Sequence, residues 1–160
     1  MTDPSDSFTP VMNNKAPGNY IRRLYQISVA IFLQEAEGYG ITPVQFAALQ
    51  YVEREPDIDQ RTLAQAIGTD ASTTTGVIDR LESRGLLERL PSPGDRRVRL
   101  LRTTDAGRQL LADVMPAVMR AQEIMIEPLS STERAEFLRM LDILVTKNNY
   151  LSRAPQKRTS

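Results

Sequence analysis

The stretch "ASTTTGVIDRLESRGLLERLPSPGDRRVRLLR", Ala71 to Arg102, decides how the rest of the chain is read. Its first half is helical in pattern: Thr74, Val77, Ile78 and Leu81 recur at i, i+3, i+4 and i+7 and make one apolar face. The other side carries Ser72, Thr73, Thr75, Gly76 and Arg80. Gly85 ends the helix, and two short arms, "LLERL" (Leu86 to Leu90) and "RRVRLLR" (Arg96 to Arg102), then flank "PSPGD". That arrangement predicts a β-hairpin with a five-residue loop around Pro-Gly. In the first arm Leu86 and Leu90 can share a face. In the second, Val98 and Leu100 are expected to alternate with Arg97, Arg99 and Leu101, so that one side packs and the other presents guanidinium groups. Asp95 is placed to accept the Arg97 guanidinium and fix its direction.

Upstream, Asp59 reads as the N-cap of a short helix, "QRTLAQAI", which Gly68 ends by taking the left-handed conformation cheaply. Two short helices split by a Gly-containing turn predict a helix-turn-helix, and the hairpin directly behind it predicts a wing. The preceding segment, "GITPVQFAALQYVERE", has Thr42 as N-cap, Pro43 at the first helical position and Gln45 to complete a capping box. Downstream, Thr104 caps a helix with Pro116 inside it, where a kink is expected.

The terminal helices are more apolar than a helix wet on one face requires. The first carries Ile21, Leu24, Tyr25, Ile27, Ile31 and Phe32; the last carries Phe137, Leu138, Met140, Leu141, Ile143, Leu144 and Val145. Each other and a second copy are their available partners, which predicts a two-fold homodimer. Such a dimer would set two recognition helices roughly one DNA turn apart. Met115, Met119, Met125 and Met140 are expected as core filler. The expected architecture is mainly α with a small β-hairpin wing. It divides into disordered tails at 1–17 and 151–160, dimerisation helices at 18–40 and 104–150, and a winged helix-turn-helix lobe at 41–103.

Composition removes several function classes. The 160 residues, 41% hydrophobic and 25% charged, allow one domain with a real core. Lys+Arg and Asp+Glu balance at 20 each, yet Arg61 to Arg102 holds eight arginines against five carboxylates, a modest footprint for a polyanion. With no cysteine and no histidine, disulfides, thiol redox sensing and histidine-dependent hydrolysis have no residues to run on. A transition-metal site would have carboxylates alone. No enzyme, metal or cofactor is expected. The polar start is unlike a signal peptide, and no apolar run approaches the length of about 18 residues that spans a bilayer, so the expected location is the cytoplasm.

Two readings of the central stretch remain open on pattern alone. Its serines and threonines either cap an ordinary surface helix or enter a major groove, where small hydroxyls reach phosphates and base edges. Its arginines either protect a solvated hairpin's edge or reach the minor groove and its phosphates. Taken together the two features favour double-stranded DNA. The competing class is a winged-helix module that binds protein and never DNA.

The ordered motifs of "RTLAQAIGTDASTTTGVIDRLESRGLLERLPSPGDRRVRLLRTTDAGRQLL", Arg61 to Leu111, resemble the core of the MarR family of bacterial transcription regulators. They are a leucine-alanine opening, a Ser-Thr-x-Thr recognition helix, Asp-Arg-Leu-Glu before a glycine, Asp-x-Arg at the wing tip and Thr-x-x-Gly at the next helix. The resemblance extends over roughly residues 19–150. It implies a homodimeric winged helix-turn-helix protein, usually a repressor that leaves its operator when a small molecule binds. By position, Ser72, Thr73 and Thr75 fall where the family reads the major groove, and Asp95 and Arg97 fall on its wing pair. Gly76, Arg80, Arg96 and Arg99 complete the expected DNA-contact set. Gly76 departs from the arginine of many members, and Thr103 replaces an apolar residue near the end of the wing.

The N-terminal half resembles members that regulate aromatic-compound catabolism, which implies an aromatic acid or its CoA thioester as effector. Arg22 or Arg23 would hold the carboxylate, with Tyr25, Tyr39 or Phe46 lining an apolar slot. Either arginine could instead face solvent or bridge subunits.

Overall fold

The computed structural model describes residues 16–95 and 97–152. In chain order they form α1 (Pro17–Glu35), α2 (Pro43–Arg54), β1 (Ile58–Asp59), α3 (Gln60–Ile67), α4 (Ala71–Ser83), β2 (Leu87–Pro91), β3 (Arg99–Thr103), α5 (Asp105–Ile126), α6 (Ser131–Asn148) and a short 3-10 turn, Asn149–Leu151. The architecture is that of a winged helix-turn-helix, mainly α with one small antiparallel sheet. The expected tails fall largely outside the described residues, although Pro17 already belongs to α1 and Leu151 to the terminal turn.

Helix starts follow their caps. The Thr42 hydroxyl accepts from the Gln45 N–H at 3.3 Å and the Gln45 side chain accepts from the Thr42 N–H at 3.1 Å, a complete capping box in front of Pro43. Asp59 accepts from the Thr62 N–H at 2.9 Å to start α3, and Thr104 accepts from the Gly107 N–H at 3.1 Å to start α5. Two caps were not anticipated: Asp70 for α4, and a Ser130/Glu133 capping box for α6. Gly68 closes α3 at φ 67°, where a Cβ would be strained. Helix α5 runs unbroken through Pro116.

The wing differs from the expected two-stranded hairpin. β1 pairs with β3, Ile58 opposite Leu101, so β3 is the middle strand in the order β1-β3-β2. A strand of two residues has no periodicity to read, which is why pattern alone misses it. Pro91 opposite Arg99 is the last β2–β3 pair, so the loop runs over residues 92–98 and is longer than "PSPGD". The alternation also shifts. Leu101, expected among the arginines, is fully buried beside Thr103, while Leu100 is half-buried. Successive strand residues point to opposite faces, and the core lies on the side of Leu101.

That core forms where α2, α3, α4, β3 and α5 meet. Leu49, Val52, Leu63, Ile78, Leu81, Leu101 and Val114 are fully buried there. Each such side chain contributes about 1.5–3 kcal/mol relative to exposure. The helix α5 comes close to the wing at Gly107, where a Cβ would lie 2.1 Å from the Leu86 carbonyl oxygen. The Thr104 hydroxyl, which caps α5, also donates to the Gly85 carbonyl at 2.6 Å. The Thr-x-x-Gly motif is therefore a joint between α5 and the start of the wing.

Helix α1 packs along α5 and contributes Phe32 to the core, with Arg120 and Glu35 pairing across the two helices at 3.5 Å. Helix α6 has no buried residue. Leu138, Met140, Ile143, Leu144 and Val145 on α6 are exposed, as are Tyr20, Ile21, Tyr25, Ile27 and Leu33 on α1. Met119 and Met140 are exposed too, so neither fills the core of this chain; Met115 packs against it and Met125 is half-buried. Among the described residues no helix is long and apolar enough to cross a membrane.

Candidate nucleic-acid interface

Helix α4 is started by Asp70, whose two carboxylate oxygens accept from the Thr73 N–H at 2.8 Å and the Thr73 hydroxyl at 2.9 Å. These bonds hold the Asp70 carboxyl below its ordinary range. Thr74, Val77, Ile78 and Leu81 are buried. Thr74 donates to the Asp70 carbonyl at 2.8 Å, so it must accept from Thr69, whose hydroxyl lies 2.7 Å away; the turn between α3 and α4 is closed by that pair. On the other side Ser72, Thr73, Thr75 and Arg80 are exposed and Gly76 is half-buried. A Cβ on Gly76 would meet nothing within 4 Å, so the missing side chain leaves open space on this face.

The structure sorts the arginines. Arg89, on β2, is held by both Asp79 and Glu82 of α4. Burial opposes its charge, but the two carboxylates override that and raise its pKa. Arg102 donates to Asp57 at 2.8 Å. Arg84, just past α4, donates to the carbonyls of Gly40 and Tyr39, the latter at 3.1 Å. These three tie the wing and the recognition helix to the body. Among the described residues Arg61, Arg80, Arg97 and Arg99 are exposed and form no ion pair. Arg96 lies outside the described residues.

Asp95 acts differently from the expectation. Its carboxylate accepts from the Arg97 backbone N–H at 2.9 Å, not from the guanidinium, and the Val98 N–H donates to its carbonyl at 3.0 Å. Asp95 thus shapes the loop, and among the described residues the Arg97 side chain has no ion-pair partner. A short polar residue bonding the backbone two residues on is a common turn device.

One residue of this surface escaped the sequence reading. Gln60, at the start of α3, donates from Nε2 to the Thr75 hydroxyl at 2.5 Å. Arg61 beside it is exposed. Gln60 belongs to no apolar period or recognised motif; its proximity to Thr75 across the turn is its signal.

The expected effector residues separate. Arg22 and Tyr25 are exposed on α1, three residues apart and therefore on one side of the helix. Arg23 is turned about 100° from Arg22, so the two cannot face one slot. Tyr39 packs against the core from the α1–α2 connection. Phe46 is inside the core, its ring centroid 6.0 Å from that of Phe32. Among the described residues no cluster could hold a metal ion.

Comparison with known proteins agrees with this geometry. The MarR family model matches residues 41–98. The HTH-type transcriptional repressor NicR of Pseudomonas putida is 32% identical over 133 residues, covering 83% of this chain and 84% of the relative. The structure of Bordetella bronchiseptica BpsR, whose DNA binding is regulated by 6-hydroxynicotinic acid, aligns with TM-score 0.79 at 30% identity over 84% of this chain and 96% of that one. The repressor CouR, solved on a 23-mer DNA duplex, aligns with TM-score 0.77 at 30% identity over 82% and 94%. With its caps, wing joint and recognition helix in place, and with this likeness running over most of its length, the chain belongs to the MarR family of transcriptional regulators.

Proposed function

We propose that the chain is a homodimeric repressor that grips a palindromic operator with two α4 helices and two wings, and releases it when a small aromatic carboxylate or its CoA thioester binds. The observation that carries this reading is the division of α4, with Thr74, Val77, Ile78 and Leu81 buried while Ser72, Thr73, Thr75 and Arg80 are exposed. In this reading those exposed residues and Gly76 enter the major groove, and Arg97 and Arg99, with Arg96, anchor the wing on phosphates. Affinity then depends steeply on salt, because each neutralised phosphate releases counterions.

The lobe 41–103 carries the DNA contacts, and the exposed apolar residues of α1 and α6 support the assignment of 18–40 and 104–150 to dimerisation. The effector reading rests on Arg22 and Tyr25 of α1, on Tyr39 of the α1–α2 connection, and on the regulation of BpsR by 6-hydroxynicotinic acid. Arg84 supplies a physical link, since it joins the end of α4 to the carbonyl of Tyr39. An effector acts only through its preference for the spacing of the two helices that does not fit DNA.

The test is electrophoretic retardation of the DNA flanking the protein's own gene, at low and high salt, followed by a panel of benzoates, cinnamates and their CoA thioesters. Retardation that a panel member reverses is the expected result. No retardation at low salt would favour a winged-helix module that binds protein. Retardation that the whole panel leaves unchanged would remove the aromatic effector.

A further inference from the structure

We infer that Thr73 and Thr75 meet DNA as hydrogen-bond acceptors, their protons held by Asp70 and the Ala71 carbonyl, and that Gln60, from the helix before and oriented by Thr75, adds a further acceptor, so that each half-site is selected for an exocyclic amino group, adenine N6 or cytosine N4. The inference deepens the DNA-binding reading and rests on it.

A threonine hydroxyl has one proton and two lone pairs. In Thr75 the hydroxyl lies 2.8 Å from the Ala71 carbonyl, which can only accept, so the proton is committed there. The neighbour on its other side must then be a donor, which orients the Gln60 amide with Nε2 toward Thr75 at 2.5 Å and Oε1 away from it. One lone pair of Thr75 remains. Thr73 reaches the same state by another route. Its proton goes to the Asp70 carboxylate at 2.9 Å, a group that also can only accept.

Neither hydroxyl can donate to a phosphate, to guanine O6 or to thymine O4 without leaving its partner. Both can accept. In the major groove the donors are the amino groups of adenine and cytosine. Gln60 Oε1 adds a third acceptor from a different helix. Ser72 is exposed and has no such internal bond among the described residues, so its proton stays available to phosphates. The surface around Thr73 and Thr75 is thus polarised by intramolecular bonds before any DNA arrives, and a preset polarity costs less on binding than one that must rearrange.

The experiment selects binding sites from a randomised duplex library with the full-length wild type and the Thr75→Val, Thr75→Ser, Thr73→Val and Gln60→Ala variants. The wild type should accept adenine and cytosine alike, and reject guanine and thymine, on the same strand at fixed steps in each half-site. Thr75→Val should lose that preference at one step by about tenfold, the discrimination of a good base contact, with its salt slope unchanged. Thr75→Ser should restore it, and Gln60→Ala should relax the same step or its neighbour. Thermal unfolding of every variant checks that the fold persists. Selected sites unaffected by the valine substitutions overturn the inference alone, as does a Thr75-dependent step that separates purine from pyrimidine, or A·T from G·C, instead of amino from keto bases. A wild type that retards no DNA overturns the DNA-binding reading as well, so the two failures are distinct.

Discussion

Arg102 and Asp57 form a bidentate pair: Arg102 Nε donates to Asp57 at 3.1 Å and Nη2 at 2.8 Å, joining β3 to the turn before β1. Asp57 sits at φ 65°, unusual for a residue with a side chain and easiest for Asp and Asn among them. An arginine counted by sequence as part of a basic ribbon is therefore a brace for the sheet.

The first prediction separates braces from anchors. Replacing Arg102 by Ala should leave the salt dependence of DNA binding unchanged, whereas Arg97→Ala and Arg99→Ala should each reduce the slope by about one unit. Arg89→Ala should weaken binding for a different reason, because it uncovers Asp79 and Glu82 on the recognition helix. Fluorescence-anisotropy titrations over a range of salt concentrations would show these three behaviours; an altered slope in Arg102→Ala would contradict the assignment.

Thr103 is buried, and among the described residues its hydroxyl oxygen has no hydrogen-bond partner. Thr103→Val keeps the shape and removes the unsatisfied group. It should stabilise the chain by about 1 kcal/mol and raise the melting temperature by about 2–4 °C. A lower melting temperature would mean that the hydroxyl is satisfied in solution.

Two helical glycines should respond in opposite directions. At Gly76 an added Cβ meets only open space, so Gly76→Ala should gain helix propensity worth about 1 kcal/mol. At Gly107 the same atom would lie 2.1 Å from the Leu86 carbonyl oxygen and 2.7 Å from Thr103 Cγ2. Gly107→Ala should cost about 3 kcal/mol or more, since backbone has to move. Chemical denaturation of the two variants side by side decides the point.

The cap of α3 should be visible in the acid limb of stability. Partial burial pushes the Asp59 carboxyl up, but bonds from the Thr62 N–H and hydroxyl and from the Arg61 N–H outweigh it and hold the pKa below its ordinary value. A depressed folded-state pKa means stability that is complete above the unfolded value of about 3.9 and lost as pH falls through the lower folded value. Asp59→Asn keeps a capping side chain and should flatten the fall below about pH 4. Asp59→Ala should cost about 1 kcal/mol near neutrality. Urea midpoints measured from acid to neutral pH would reveal both effects, and an unchanged acid limb in Asp59→Asn would count against them.

What sequence alone determined here is what depends on near neighbours. Thr42, Asp59 and Thr104 start their helices by bonding to an N–H three residues ahead, and the buried face of α4 repeats every three to four residues. Such signals are complete within a few residues, so they survive without a fold. Tertiary structure decided which charged groups were left over. Arg102 finds its carboxylate 45 residues away and Arg84 its carbonyls 44 and 45 residues away, while Thr103 and Gly107 owe their constraints to a wing that folds back on α5. A guanidinium is free to meet a phosphate only when the fold brings no acceptor within its reach, and that depends on distance in space.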